Sequence, residues 1–454
     1  MAVRRIRCEL AVIPDTSGDG TGVMVAADVV LTLDGEHIVD VGAAQMDGTE
    51  FEVDVQLAGL TMPGFANAHS HAFHRALRGR THRGAGDFWT WREQMYSVAA
   101  RLTPDNYLDL ARATFAEMVL AGYTCVGEFH YVHHRPDGAP YPDPNAMGQA
   151  VITAAREVGI RLTLLDACYL RAGARLPLLA EQARFSDGTA AAWVERVDRL
   201  AVGEGLRLGA AVHSVRAVDA ESIGAVADHA RRRGWPLHAH VSEQIAENEQ
   251  VFEEYGCTPT ELLARQGALT DRFTAVHATH LQQIDIELYA ARRCGCCFCP
   301  TTERDLADGI GPSARLAADG VPLSIGSDQH AVIDPFEEMR GIEMDERLTS
   351  MRRGTHSAAS LLAAGTINGY RSLGWPDGGR IAIGALADLT TVSLDGVRLA
   401  GTSMADAAEA IVFAATAGDV TDVIVGGRTV VAGGSHRSLD VAAELRRSIA
   451  AVTS

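Results

Sequence analysis

Leu60–His71 reads LTMPGFANAHSH, an apolar run that closes on two histidines one residue apart. Alternate side chains of a strand face the same side, so an extended run would point His69 and His71 together. A lone pair of this kind is weak evidence for a metal clamp. Its weight depends on what the rest of the chain sets beside it. Seven further short runs read as strands: YTCVGEF (123–129), RLTLLDACY (161–169), RLGAAVHS (207–214), PLHAHVSE (236–243), FTAVHATH (273–280), CGCCFCPTT (294–302) and VPLSIGSD (321–328). Amphipathic helical runs such as YLDLARATFAEMVLAG (107–122) and DAESIGAVADHARRRG (219–234) fall between them. Eight strands separated by helical sequence predict an α/β fold, a (β/α)8 barrel over residues 61–375.

Polar residues collect where such a barrel would gather them. His69 and His71 close the first strand, Glu128 the second, His213 the fourth, His240 the fifth, His277 the sixth and Asp328 the eighth. Strand C-termini of this barrel converge on one mouth, which is where its active sites lie. Neutral imidazoles with a carboxylate suit zinc and leave a position open for water. His238 shares a strand face with His240 and competes with it as a ligand. His130, His133 and His134 sit in a polar, proline-rich stretch and read as solvated. Outside the barrel, VVLTLDGEHIVDVG (29–42) carries a hairpin turn at Asp34-Gly35, and ADLTTVSL (387–394) and VIVGGRTVVAGG (423–434) repeat that texture. Residues 1–60 and 376–454 therefore predict one small β-sandwich domain built from both termini.

Composition excludes several chemistries. The chain has 454 residues, 47% of them hydrophobic, and a formal net charge of -18. Such a charge disfavours nucleic acid and anionic membranes, so a small anionic substrate would need a local group of arginines. No run of about 18 apolar residues is present, and the N-terminal stretch lacks a secretory pattern. The expectation is a soluble, cytoplasmic protein. Lysine is absent, and all 40 basic residues are arginine. Schiff-base, pyridoxal-phosphate and Walker-type phosphate chemistry each require a lysine amine and are ruled out. The eight cysteines, four of them in CGCCFCP, read as buried thiols on a strand.

The set HSH (69–71), HVSE (240–243), HATH (277–280) and GSD (326–328) resembles the amidohydrolase superfamily, in its one-metal deaminase branch. That resemblance implies one Zn2+ per chain held by His69, His71, His240 and Asp328, with Glu243, His277 and Asp328 as catalytic groups. HAFHRALRGR (71–80), DFWTWREQMY (87–96), EFHYVHH (128–134), HSVRAV (213–218), CPTTERDLADGI (299–310) and GSDQH (326–330) are similar to the formimidoylglutamate deiminase family. The likeness implies hydrolysis of N-formimidoyl-L-glutamate to N-formyl-L-glutamate and ammonia in histidine degradation, by a homodimer. His74 stands where many members carry glutamine, and GSDQH replaces GSDSH.

Arg92 and Arg216 are the expected carboxylate anchors, since a guanidinium forms two parallel bonds to a carboxylate. The family likeness adds Tyr131, His213 and His74 as further substrate contacts. Trp89-Thr90-Trp91 reads equally as a lid over the site or as ordinary loop packing. A deaminase of purines or related heterocycles is the competing enzyme, and a non-catalytic ligand-binding barrel the competing class.

Overall fold

The structure, a computed structural model, describes residues 3–15, 22–43, 52–82 and 88–454. Eight strands run in parallel in chain order: Phe65–Ser70, Tyr123–His130, Arg161–Cys168, Leu206–Ser214, Leu237–Val241, Phe273–His277, Gly295–Phe298 and Leu323–Ile325. The ring closes where Ser70 bridges Asp328. Tyr123–His130 and Arg161–Cys168 are buried at every position, as strands covered on both faces must be. The intervening helices start and stop on local signals. Thr103 caps Pro104–Leu120, with proline in its first turn. Asp219 caps Ala220–Arg233, and Gly234 ends that helix in the left-handed region at φ 66°.

The β domain expected from the termini is one eight-stranded mixed sheet. Arg4–Pro14, Val23–Asp34, His37–Ala43 and Val55–Pro63 come from the beginning of the chain, and Leu389–Val392, Val420–Val425, Arg428–Ala432 and Ser435–His436 from its end. Arg161, the first residue of the third barrel strand, joins the two sheets through bonds of 2.7 Å to Asp388 and 2.8 Å to Glu36.

One expectation is corrected. Leu60–His71 is not a single strand. Its first four residues belong to Val55–Pro63, which pairs with Arg4–Pro14 and Leu389–Val392. From Phe65 the chain pairs with Tyr123–His130 in the barrel. Pro63 has no N–H with which to continue the ladder. At Gly64 a Cβ would lie 2.0 Å from Thr124 Oγ1, so only glycine lets the chain change sheets there. An apolar run carries no mark of a change of partner.

Candidate metal centre and active site

The first, fifth and eighth barrel strands bring four side chains to one point. His69 Nε2 lies 3.1 Å from His240 Nε2 and 3.3 Å from Asp328 Oδ1. His71 Nε2 is also 3.3 Å from Asp328 Oδ1. His71 donates its Nδ1–H to Phe129 O at 2.9 Å, and His240 donates its own to His213 O at 2.8 Å. Both Nε2 atoms are therefore bare lone pairs, one facing a carboxylate oxygen and the other an imidazole nitrogen. Burial pushes the His69 imidazole down to about 3 against the opposing pull of Asp328, and lowers His71 and His240 as well. Burial would raise Asp328, but the bond with His69 and the surrounding histidines hold it well below the usual carboxylate range. Lone pairs converging at this distance repel one another unless a cation sits between them. The donor set fits a divalent metal ion.

Backbone and buried side chains lock the two ligand-bearing segments together. Asp328 N donates to His69 O at 3.0 Å, and His71 N to Asp328 O at 3.1 Å. Asn67 accepts Ser327 N at Oδ1 and donates from Nδ2 to Ser327 Oγ at 2.6 Å, which fixes its amide. Ser327 Oγ then meets His330 Nδ1 at 2.9 Å, and His330 Nε2 meets Ser70 Oγ at 3.3 Å. Ser70 donates to Glu128 Oε2 at 2.6 Å, while Ala72 N donates to Oε1 at 2.7 Å. Burial pushes the Glu128 carboxyl up to about 8 despite the bonds from Ser70 and Ala72. Ser242, His277, Ala278, Asp328 and His330 all take positive φ, between 40° and 67°. Such non-glycine residues store about 1–3 kcal/mol each and cluster at functional sites.

Beside the cradle, His277 Nε2 lies 3.9 Å from both Glu243 Oε1 and Asp328 Oδ2, and its Nδ1 is 3.3 Å from Glu303 Oε1. Burial favours the neutral ring, but Glu243, Glu303 and Asp328 outweigh it and hold His277 well above its ordinary value. Burial raises Glu243, with His277 and Arg216 pulling the other way. These groups open onto a cavity of about 70 Å³ whose wall includes Arg92, Arg216, Tyr131, His213 and His74. Glu247 holds the Nε edge of Arg216 at 2.7 Å, and Glu243 lies 3.7 Å from its NH2. The Arg92 guanidinium lies 5.6 Å over the Tyr96 ring. His74 Nε2 and Tyr131 OH are 2.8 Å apart. Trp91 lines the same wall, with its ring 5.1 Å from that of His74. The side chain of Trp89 lies outside the described residues.

The other histidines near these strand ends turn away from the cradle. His238 turns to the carbonyl of Ser372 at 2.9 Å, and His280 to that of Asp308 at 2.8 Å. His130, His133 and His134 are not solvated as the sequence suggests, being 1%, 1% and 5% exposed. Asp166 and Asp187 lie beside them. Arg196 reaches Asp166 at 2.8 and 2.7 Å and Asp187 at 2.8 and 2.9 Å, and Trp193 Nε1 donates to Asp166 at 2.9 Å. Arg196 thus gives Asp166 and Asp187 a cation supplied by the chain itself. The eight cysteines are free and buried. Sequence reading missed Glu303, Glu247 and the chain from Asn67 to Glu128. Only the position of Glu303 in CPTTERD and of Glu128 at a strand end gave any signal.

The sequence profile of the amidohydrolase family matches residues 60–430. The formimidoylglutamate deiminase of Pseudomonas aeruginosa is 35% identical over 95% of each chain. A 5-methylthioadenosine/S-adenosylhomocysteine deaminase of Natronomonas pharaonis is 30% identical over 86% of this chain and 85% of its own. Among solved structures, an amidohydrolase from Brucella melitensis superposes with a TM-score of 0.88 at 29% identity, covering 99% of this chain and all of its own. A zinc-bound adenosine deaminase from Xanthomonas campestris shares the fold, with a TM-score of 0.83 at 24% identity over 98% and 97% of the two chains. No helix among the described residues is long and apolar enough to cross a membrane. With a family match over residues 60–430, on a barrel whose mouth gathers histidines and an aspartate, this chain is an enzyme of the amidohydrolase family.

Proposed function

We propose that this enzyme binds one zinc ion per chain and hydrolyses N-formimidoyl-L-glutamate to N-formyl-L-glutamate and ammonia, as a step of histidine degradation. The observation that carries the reading is the pairing of Arg92 and Arg216 in the wall of the cavity that also exposes His71, Glu243, His277 and Asp328. Two guanidiniums beside a hydrolytic centre suit a dicarboxylate. The full-length similarity to the Pseudomonas aeruginosa deiminase supports the same substrate.

His69, His71, His240 and Asp328 would hold a divalent ion, which would lower the pKa of water to about 7 and make a nucleophile available at neutral pH. Asp328 Oδ1 faces His69 and His71, which leaves Oδ2, on the His277 side, to take the proton from the attacking water. Glu243, favoured in its protonated form by burial, delivers a proton to the imino nitrogen. His277, with Nδ1 facing Glu303 and Nε2 facing the Oδ2 side of Asp328, donates to the attacking oxygen and aims it at the imino carbon. Asp328 passes the water proton on to the same nitrogen, the C–N bond breaks and ammonia leaves, and Glu243 recovers its proton from the hydroxyl as the formyl C=O forms.

A heterocyclic amine is the second reading, favoured by the rings of Trp91, Tyr131, Tyr169 and Phe185 on the same wall. Ammonia release from N-formimidoyl-L-glutamate, run beside adenine, guanine and cytosine compounds, separates the two. Release from the dianion alone is the expected result. Preference for a nucleobase would overturn the assignment.

A further inference from the structure

Gln182 lies in the short 3-10 turn Ala180–Phe185 that follows the third barrel strand, and it is fully buried. Its Oε1 accepts the N–H of Leu179 at 2.9 Å, which fixes the direction of the amide. Nε2 consequently faces the other way and donates to two hydroxyls, Tyr96 OH at 2.9 Å and Tyr169 OH at 2.8 Å. A tyrosine hydroxyl that accepts in this way still has its own proton to place. Both rings line the cavity that contains Arg92 and Arg216. The Tyr169 ring rests against His213 at 4.5 Å, and Tyr96 lies under the Arg92 guanidinium at 5.6 Å. The two hydroxyls share one donor nitrogen and so lie close together, where one can donate to the other. At least one O–H of the pair then remains for a ligand.

We infer that Tyr96 and Tyr169, oriented by Gln182, form a carboxylate-reading subsite of the cavity. A carboxylate is acceptor-only and matches an O–H donor beside a guanidinium, whereas an amide offers its own N–H donors and matches less well. The inference rests on the dicarboxylate reading above and adds the groups that tell a carboxylate from its neutral counterpart. Tyr96 and Tyr169 touch the substrate, and Gln182 is a positioning residue. Arginine alone supplies attraction. The hydroxyls supply polarity of the hydrogen bond, which is what rejects an isosteric amide.

The test uses the zinc-loaded enzyme with Tyr96→Phe, Tyr169→Phe, the double variant and Gln182→Glu. Turnover of N-formimidoyl-L-glutamate and calorimetric binding of N-formyl-L-glutamate are both measured. In the double variant KM and the dissociation constant should rise about tenfold or more while kcat changes little, and at least one single variant should carry most of that loss. Gln182→Glu turns the shared donor into an acceptor that captures both hydroxyl protons, so it should weaken dicarboxylate binding although both tyrosines remain. A substrate with both carboxylates amidated should respond little to any of the changes. If the parent turns over the dianion and the folded variants match it in KM and binding, the subsite is wrong and the dicarboxylate reading stands. Tyrosine-dependent binding of the dicarboxylate without ammonia release would instead sink the reaction and keep the subsite. A parent that binds no dicarboxylate overturns both.

Discussion

Two histidine–carboxylate clusters stand at strand ends of this barrel, and the source of positive charge separates them. Asp328 meets His69, His71 and His277, all of them imidazoles. Asp166 lies beside His130 and His133, but two of its bonds come from Arg196. By residue type each is a plausible ligand set, and both are buried. In the first, bare ring nitrogens converge on an oxygen with too few protons to go round. In the second, a guanidinium has closed the electrostatic account from within the chain. Residue type alone does not make a metal site; His130 in the second cluster also has bare ring nitrogens, and what sets the first apart is a carboxylate met by no arginine among the described residues.

The largest effect should come from the first cluster. Asp328→Asn removes a ligand charge, so metal affinity should fall by more than the about 10–100-fold typical of an outer partner, and activity should fall with it. Metal content after dialysis and ammonia release give the measure. A variant that keeps its ion and its rate would break the comparison from the first side.

Arg196→Met attacks the second side. It leaves Asp166 and Asp187 buried without their cation, which should cost about 3–5 kcal/mol of stability. Unfolding in denaturant reads that loss, and metal content should stay at one ion per chain unless excess zinc fills the opened place. Two tightly held ions in the parent would show that the arginine does not exclude a metal. The same pair sets a pH dependence. Burial would raise both carboxyls, but Arg196 and its histidine neighbours depress them below their unfolded value of about 3.9. Their contribution to stability is complete above that value and is lost as pH falls through the depressed folded values. In Arg196→Met the part of the depression due to the arginine is lost, so the stability gap between parent and variant, read by denaturant unfolding at a series of pH values, should be widest above about pH 4 and narrow as pH falls below it.

A smaller effect separates the mouth from the substrate wall. Arg92→Met or Arg216→Met keeps much of the stem's packing but deletes a charge-assisted contact worth about 1.5–3 kcal/mol. kcat/KM on the dianion should drop about tenfold to over a hundredfold, with metal content unchanged. Lysine in either place should rescue only partly, for want of the two-pronged geometry.

The smallest should be Glu128→Gln. The amide cannot accept from both Ser70 and Ala72, so the scaffold behind His69, His71 and Asp328 loosens without losing a ligand. Zinc should leave to a chelator about 10–100-fold more readily. Unchanged retention would mean that the backbone bonds alone hold the cradle.

How much of this could be read in advance follows from where the partners lie. Strand count, helix caps at Thr103 and Asp219 and the HSH and GSD segments are local patterns, and local patterns survive in one dimension. Gln182 with Tyr96, Glu247 with Arg216 and Glu303 with His277 join residues that are distant in the chain or carried on separate loops, and no periodicity marks them. The histidines at 130–134 were misjudged because a proline-rich, polar stretch looks exposed. Asp166 and Asp187, both held by Arg196 on a later helix, give His133 and His134 partners inside the protein. The change of sheets at Pro63-Gly64 was hidden by uniform apolarity.

That change of sheets bears on how the protein is made. Val55–Pro63 needs Leu389–Val392 as its second neighbour, and the whole barrel is translated between them. At about 5–20 residues per second the ribosome leaves this edge unpaired for tens of seconds. An open apolar edge of that kind recruits other chains. The nascent protein is thus exposed to aggregation until its last strands emerge, and a chain cut before Leu389 should collect in the insoluble fraction even though every residue of the metal cradle has been made.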